Sequence, residues 1–251
     1  MKKYALITGA TSGIGRATAE AFAEQGINLI ICGRRNEKLE ALKQELQNKV
    51  AVEIMSFNVC SREEVQVAFA SLPNKVKNNI NILLNNAGGA HGLDLIQDGN
   101  YDDWEQMIDS NVKGLLYVSE AVIPVMIKNK EGHIVNMSSV AGKEVYAKGN
   151  VYCAAKHAVE AISQGMRIDL IQHGLKVSNI APGAVNTEFS TVRFKNDIEK
   201  ADNVYKGFTP LAAKDIAEVI TFIVTRPHHV NIADISILPL AQASTTVFNS
   251  T

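Results

Sequence analysis

Short apolar runs alternate with amphipathic stretches along nearly the whole chain, and that alternation limits the fold more than any single motif. Tyr4-Ala5-Leu6-Ile7, Asn28 to Cys32, Val50 to Phe57, Ile80 to Leu84, His133 to Met137, Lys176 to Ile180 and residues 233–238 read as strands. Between them, residues 13–25, 36–48, 61–72, 102–128, 151–172 and 213–225 read as helices, with Leu39, Leu42 and Leu46 showing the spacing of one buried face. Gly26, Pro73 and Gly174 mark helix ends, and Pro124 predicts a bend in the long helix. Strand alternating with helix predicts a parallel sheet covered on both faces. A chain of 251 residues, 46% of them hydrophobic, suits one such α/β domain over 1–251. A long polar stretch at about 187–209 has the length of a lid over a binding site.

Composition narrows the function. A formal net charge of −1 gives no electrostatic case for nucleic acid or an anionic membrane surface. Cys32, Cys60 and Cys153 are scattered without a Cys-x-x-Cys pair, which suits reduced, buried thiols of a cytoplasmic protein. The six histidines lack metal-ligand spacing, so no metal is expected. Lys2 and Lys3 precede an apolar run, but Gly9, Gly13 and Gly15 break it before any cleavage site.

The first strand leads into Thr8-Gly9-Ala10-Thr11-Ser12-Gly13-Ile14-Gly15-Arg16. Glycines here permit a tight turn and close approach of the backbone to a pyrophosphate, and the helix that follows presents free N–H groups to it. The spacing is Gly-x-x-x-Gly-x-Gly rather than Gly-x-Gly-x-x-Gly. The second strand ends at Cys32-Gly33-Arg34-Arg35. An acidic residue there would take the ribose 2′-hydroxyl, whereas arginines pair with a 2′-phosphate, so NADP is expected over NAD.

Tyr152 and Lys156 stand four residues apart on one face of a predicted helix, and Ser139 lies thirteen residues before the tyrosine. A nearby ammonium favours phenolate and lets a tyrosine act as general acid or base.

Together these residues resemble a classical short-chain dehydrogenase/reductase over essentially the full length. The matching pieces are Thr8 to Gly15, Asn85-Asn86-Ala87-Gly88, Asn111, Ser139, Tyr152 with Lys156, and Pro182-Gly183. The resemblance implies a single-domain Rossmann fold, a doubly wound parallel sheet of about seven strands. It implies that Tyr152 exchanges the proton with the substrate oxygen, that Ser139 holds that oxygen, and that Lys156 lowers the tyrosine pKa and holds the nicotinamide ribose. Asn111 would position a water linking Lys156 to solvent. Asn85, Ala87 and Gly88 would border the cofactor, and Pro182, Gly183, Val185 and Thr187 would contact the nicotinamide, Thr187 at its carboxamide. Asn58-Val59 stands where the family often has Asp-Val, so an amide oxygen would receive the adenine amino group. Ser12 stands where many NADP-using relatives carry a basic residue, which leaves selectivity to Arg34 and Arg35.

Gly149 to Tyr152, Thr187 to Ser190, Val192 to Lys195 and Pro239 to Ser244 resemble a narrower branch, the NADP-dependent 3-hydroxy acid dehydrogenases. That branch acts on serine, allo-threonine, 3-hydroxyisobutyrate and, reductively, malonic semialdehyde; 3-hydroxypropionate belongs to the same substrate class. A short hydroxy acid calls for a fixed cation, and Arg193, in the lid segment, is the expected carboxylate ligand; its other reading is an exposed arginine paired with Asp197 or Glu199. A 3-ketoacyl thioester or general carbonyl reductase, and a dinucleotide-sensing protein without catalysis, stay open as alternatives. Relatives usually assemble as homotetramers or homodimers through the helices at 102–128 and 151–172, where Ala154, Ala155, Ala158 and Ala161 permit close packing.

Overall fold

The computed structural model describes residues 3–249; Lys2, the start of the basic N-terminal pair, lies outside them. The elements run β1 (Tyr4–Thr8), α1 (Gly13–Glu24), β2 (Asn28–Gly33), α2 (Asn36–Leu46), β3 (Val52–Ser56), α3 (Arg62–Ser71), α4 (Asn74–Lys77) and β4 (Ile80–Asn85). They continue with α5 (Tyr101–Ile108), α6 (Gly114–Asn129), β5 (Gly132–Met137), α7 (Asn150–Leu170), β6 (Leu175–Pro182) and β7 (Val185–Asn186). The described chain closes with α8 (Glu188–Arg193), α9 (Ile198–Asn203), β8 (Leu211–Ala212), α10 (Ala213–Val224) and β9 (Asp234–Ile237).

Seven strands form a parallel sheet in the order β3-β2-β1-β4-β5-β6-β9. Strand order reverses direction beside β1, and that switch point opens a crevice at the carboxyl ends of β1 and β4. Alternate side chains feed two cores. Ala5, Ile7, Leu29 and Ile31 pack with Phe22, Leu39, Leu42 and Ile220 on one face. Leu6, Ile30, Leu83 and Ile134 pack with Val65, Val118, Val122 and Met126 on the other. The strands therefore read as nearly continuous apolar runs, as a sheet covered on both faces requires. Among the described residues no helix is long and apolar enough to cross a membrane.

Three expectations change. The helix expected over 102–128 is two α-helices joined by a π-helical turn at Asp109–Lys113, and α6 runs on through Pro124. The extra residue of a π turn is not visible in apolar spacing, and such turns occur mostly at functional sites. The third strand is shorter than Val50 to Phe57, because Val50 and Phe57 are buried from turns beyond the ends of β3. The segment at 187–209 is not a plain loop: it holds α8 and α9, capped by the Thr187 and Asp197 side chains.

Candidate active site

A cleft of about 670 Å³ runs along the carboxyl edge of the sheet, from Arg34 and Arg35 past Gly13, Gly88 and Ser139 to Tyr152 and Arg193. Its volume is in the range of sites that hold small molecules.

The floor is the turn between β1 and α1. Gly9 (φ 66°) and Gly13 (φ 52°) adopt left-handed conformations that favour glycine. A Cβ on Gly15 would stand 2.3 Å from the Gly9 carbonyl oxygen, so Gly15 lets α1 close against the turn. Ser12 sits at the N-cap of α1 but its side chain makes no capping bond; the hydroxyl instead accepts from Arg35 Nη2 at 2.9 Å. The first-turn N–H groups of a twelve-residue helix are thereby left for an anion.

The reacting end gathers on α7. Tyr152 and Lys156 are both buried, with Lys156 Nζ 5.8 Å from the Tyr152 ring centroid and donating to the Met137 carbonyl at 2.9 Å. Ser139 Oγ accepts from Ala141 N at 3.1 Å and donates to the Pro182 carbonyl at 3.4 Å, whereas Ser138 Oγ lies beside the Lys156 carbonyl. Burial pushes the Tyr152 phenol well above its usual range and Tyr146 adds to this; the Ser139 hydrogen bond and the Arg193 charge oppose it. Burial likewise pushes the Lys156 ammonium down to about 8, against the pull of Glu160. Lys156 lies 5.8 Å from the centre of the Tyr152 ring and donates to Met137, and the Arg193 charge also acts to lower the phenol pKa.

Arg193 comes from the lid. Its guanidinium carbon lies 5.6 Å from the Tyr146 ring centroid and 5.8 Å from that of Tyr152, and its Nε donates to the Gly92 carbonyl at 3.1 Å. It does not take up the alternative pairing with the lid acids: Asp197 pairs with Lys200 and caps α9. Phe189, one turn earlier, packs on Tyr152 at a ring separation of 5.7 Å.

Residues 3–197 match the family model described as short chain dehydrogenase. The chain belongs to the short chain dehydrogenase family. A relative from Salmonella typhi, named NADP-dependent 3-hydroxy acid dehydrogenase YdfG, is 44% identical over 239 residues, 95% of each chain. A sulfoacetaldehyde reductase from Chromohalobacter salexigens is 43% identical over 244 residues, covering 97% of this chain and 96% of the relative. Among solved structures, the closed form of a serine dehydrogenase complexed with NADP+ superposes with a TM-score of 0.92 at 40% identity, over 99% of both chains.

Within this family member, the cleft is lined by Gly9, Thr11, Ser12, Gly13, Ile14, Arg34, Arg35, Asn58, Val59, Ala87, Gly88, Ser139, Tyr152, Lys156, Pro182, Gly183, Val185, Thr187 and Arg193. Three expected residues sit off it. Asn85 is in the core, donating to Ser119 Oγ (3.0 Å) and Asn136 Oδ1 (2.9 Å), and its neighbour Asn86 faces the cleft instead, tying down Thr8 and Gly9. Strand alternation decides this: the buried side of β4 takes Asn85. Gly15 is a packing glycine, as its contact with Gly9 shows. Asn111 lies in the π turn behind Gly88, donating to the Gly89 and Met107 carbonyls at 2.8 Å each. Its Oδ1 is buried without a protein partner, as suits an acceptor for a bound water or ligand donor.

Two expected ligands have local duties. Asn58 Oδ1 accepts from Cys60 N at 3.1 Å, so only its second lone pair is left for adenine. Thr187 Oγ1 accepts from Phe189 N at 3.2 Å as the cap of α8. Sequence reasoning missed Tyr146, His91, Phe189, Glu188 and Gln242, all on the cleft. Gln242 accepts from Ala184 N at 2.8 Å and so reaches the strand end from the C-terminal segment. An aromatic beside Thr187 in the lid was the one local signal available for Phe189.

Proposed function

We propose that the protein is an NADP-dependent dehydrogenase of short 3-hydroxy acids, acting on a substrate such as serine, allo-threonine, 3-hydroxyisobutyrate or 3-hydroxypropionate at its C3 hydroxyl. The observation that carries this reading is the placement of Arg193 over the Tyr152 ring, which puts a planar cation beside the group that would handle the substrate proton.

The residues present fit NADP. The glycine turn and the uncapped start of α1 suit the pyrophosphate, and Arg34 and Arg35 line the cleft where β2 ends, the position of the adenosine ribose. The orphan Oδ1 of Asn111 suits a water at the inner end. NADP supplies hydride acceptance at the substrate carbon. Ser139 would hold the substrate oxygen, Tyr152 would take its proton, and Lys156, held down to about 8, would relay that proton to solvent through a water accepted by Asn111 Oδ1. Arg193 would hold the acid group, and Phe189 would exclude water from above Tyr152. Names of the relatives support both parts, since they include an NADP-dependent 3-hydroxy acid dehydrogenase and a reductase of a sulfonated aldehyde. A sulfonate is also an anion that an arginine fork can bind, which makes a 2-hydroxyalkanesulfonate the second reading. Tyr146, Phe189 and Arg193 crowd the Tyr152 end of the cleft, which favours a short substrate over a 3-ketoacyl thioester.

The reading extends to a cytoplasmic homotetramer or homodimer. Ala154, Ala161 and Ile168 are exposed at seven-residue spacing along α7 and would form a seam; Ala155 faces the core instead. Sedimentation would test the assembly. The activity test follows nicotinamide absorbance with NADP and a panel of L-serine, L-allo-threonine, 3-hydroxypropionate, 3-hydroxyisobutyrate, isethionate and a neutral secondary alcohol. Turnover of the carboxylic acids supports the proposal. Turnover of isethionate alone replaces it by the second reading, and turnover of the neutral alcohol alone removes the anion site.

A further inference from the structure

The corner after the lid helix carries a residue that its backbone does not favour. Lys195 follows the C-terminal cap of α8 with φ 53°, in the left-handed region, and Asn196 comes next with φ 69°. Glycine is the usual occupant of such a place after a helix, because a Cβ is strained there. A lysine accepts that strain and brings an ammonium that glycine lacks. The ammonium has a fixed partner: Lys195 Nζ lies 2.9 Å from Oδ2 of Asp103. Asp103 stands in the first turn of α5, where its N–H donates to the cap residue Asn100 at 3.1 Å. The Asp103 side chain is 12% exposed against 60% for Lys195, so the carboxylate is the buried member of the pair. In turn α5 is fixed to the helix of Tyr152, since Met107 and Trp104 pack in one cluster with Tyr152 and Cys153.

Two residues before Lys195, Arg193 exchanges hydrogen bonds with Gly92. Gly92 N donates to the Arg193 carbonyl at 3.0 Å, and Arg193 Nε donates to the Gly92 carbonyl at 3.1 Å. Gly92 is itself left-handed (φ 68°), and a Cβ there would stand 2.9 Å from Asp94 Oδ2 and 3.1 Å from Asp103 Oδ2. Gly92, Asp103, Tyr152 and Arg193 line one small cavity. The lid corner is thus held twice, by Gly92 at Arg193 and by Asp103 at Lys195. We propose that Asp103 is a positioning residue for acid substrates: through Lys195 it fixes the corner that carries Arg193, and so sets where the guanidinium meets the substrate carboxylate. The proposal rests on the role given to Arg193 under the proposed function, and adds Asp103 and Lys195 as residues that set preference for acids over neutral alcohols. Charge serves the same end. Paired with Lys195, the Asp103 carboxylate is neutralised and does not compete with the substrate for Arg193. Burial of that carboxylate also leaves the pair less screened by water and salt than an ion pair between two exposed side chains.

The test is steady-state kinetics on two substrates, the hydroxy acid turned over best among those named above and a neutral secondary alcohol. It compares the wild type, Asp103→Asn, Lys195→Met, Arg193→Ala and the two double variants that contain Arg193→Ala. Asp103→Asn keeps the shape of the side chain and removes its charge; Lys195→Met breaks the pair from its exposed side, where folding is not at stake. Each single variant should raise KM for the acid about three- to tenfold, above the range of a fully exposed pair because the carboxylate is buried. The kcat for the acid and both constants for the alcohol should stay within about twofold. Neither change should add more than about 1.5-fold to the loss in Arg193→Ala, because both act through that side chain. Calorimetric titration of NADP+ should give affinities within about twofold in every variant, whereas a merely structural role would move cofactor affinity and the alcohol constants along with the acid KM. An unchanged acid KM, equal losses on acid and alcohol, or full additivity with Arg193→Ala would overturn the proposal and leave the role of Arg193 standing. If Arg193→Ala itself loses acid and alcohol equally, or no hydroxy acid is turned over, the reading of the acid site is wrong and the Asp103 role falls with it.

Discussion

Replacing Arg193 by alanine separates acid recognition from the chemistry of the site. The guanidinium sits by the Tyr146 and Tyr152 rings, commits its Nε to Gly92 and hydrogen-bonds the Tyr146 side chain, so a substrate anion would take over its terminal nitrogens from Tyr146. A hydrogen bond to a charged group contributes about 1.5–3 kcal/mol. Lost from binding, that corresponds to roughly a 10- to 150-fold fall in kcat/KM for a hydroxy acid, carried mainly by KM. A neutral secondary alcohol has no group for the fork, so its kcat/KM should change by less than about threefold. One effect should appear with both substrates: Arg193 helps to lower the Tyr152 phenol pKa, so its loss should move the pH profile of turnover toward alkali. Arg193→Lys keeps a cation but not the planar fork, and should fall between wild type and alanine. The assay is steady-state kinetics on a hydroxy acid and a neutral alcohol for all three proteins. Equal losses on both substrates would refute the reasoning, because they would mean that Arg193 only pins the lid through its reciprocal bonds with Gly92.

Three further perturbations probe other parts of the fold. Tyr152→Phe should lower kcat by about 10²–10⁴-fold, as for a lost general acid or base, and near-normal turnover would remove the tyrosine from the chemistry. Gly15→Ala forces a Cβ to within 2.3 Å of Gly9 O and 2.6 Å of Asn86 Nδ2. Such overpacking costs about 1–3 kcal/mol, read as a melting temperature lower by roughly 2–12 °C together with weaker NADP+ binding; unchanged values would show that α1 is not held against the turn. His133 is pushed down to about 3 by burial, with Lys176 adding to the shift. Its folded pKa lies below the unfolded value, so its stabilising effect is complete above about pH 6.5 and is lost as pH falls, by about 2 kcal/mol between pH 7 and pH 5. Urea unfolding at those two pH values should show this slope, and His133→Gln should flatten it; an equal slope in both proteins would place the acid sensitivity elsewhere.

Lys38 and Arg35 show how a local reading can stop one step short. The arginines after β2 were visible because they follow a strand that ends in glycine, but Lys38 lies on α2 and looks like any solvated lysine. Only the arrival of Glu188 from the lid makes Arg35 and Lys38 one site. The expected NADP preference was therefore legible, whereas the Glu188 carboxylate that pairs with these two cations was not.

Features that depend on near neighbours in sequence were determined by the sequence itself. Alternating apolar runs specify β1 to β6 and the helices between them, because each run must bury a face of the sheet. The glycines after β1 specify a turn that only small residues can make, and four-residue spacing puts Tyr152 and Lys156 on one side of α7. Tertiary structure decided the rest. The π turn at 109–113 shifts Asn111 behind Gly88 without disturbing the apolar pattern on either side. Strand alternation turned Asn85 inward and left Asn86 for the cleft. Lid packing brought Arg193 onto Tyr152 and Glu188 onto Arg35, and the C-terminal segment brought Gln242 to Ala184. Each of these contacts joins segments far apart in the chain. Their partners are chosen by how capped helices and loops settle on the finished sheet, and no periodicity along the sequence records that choice.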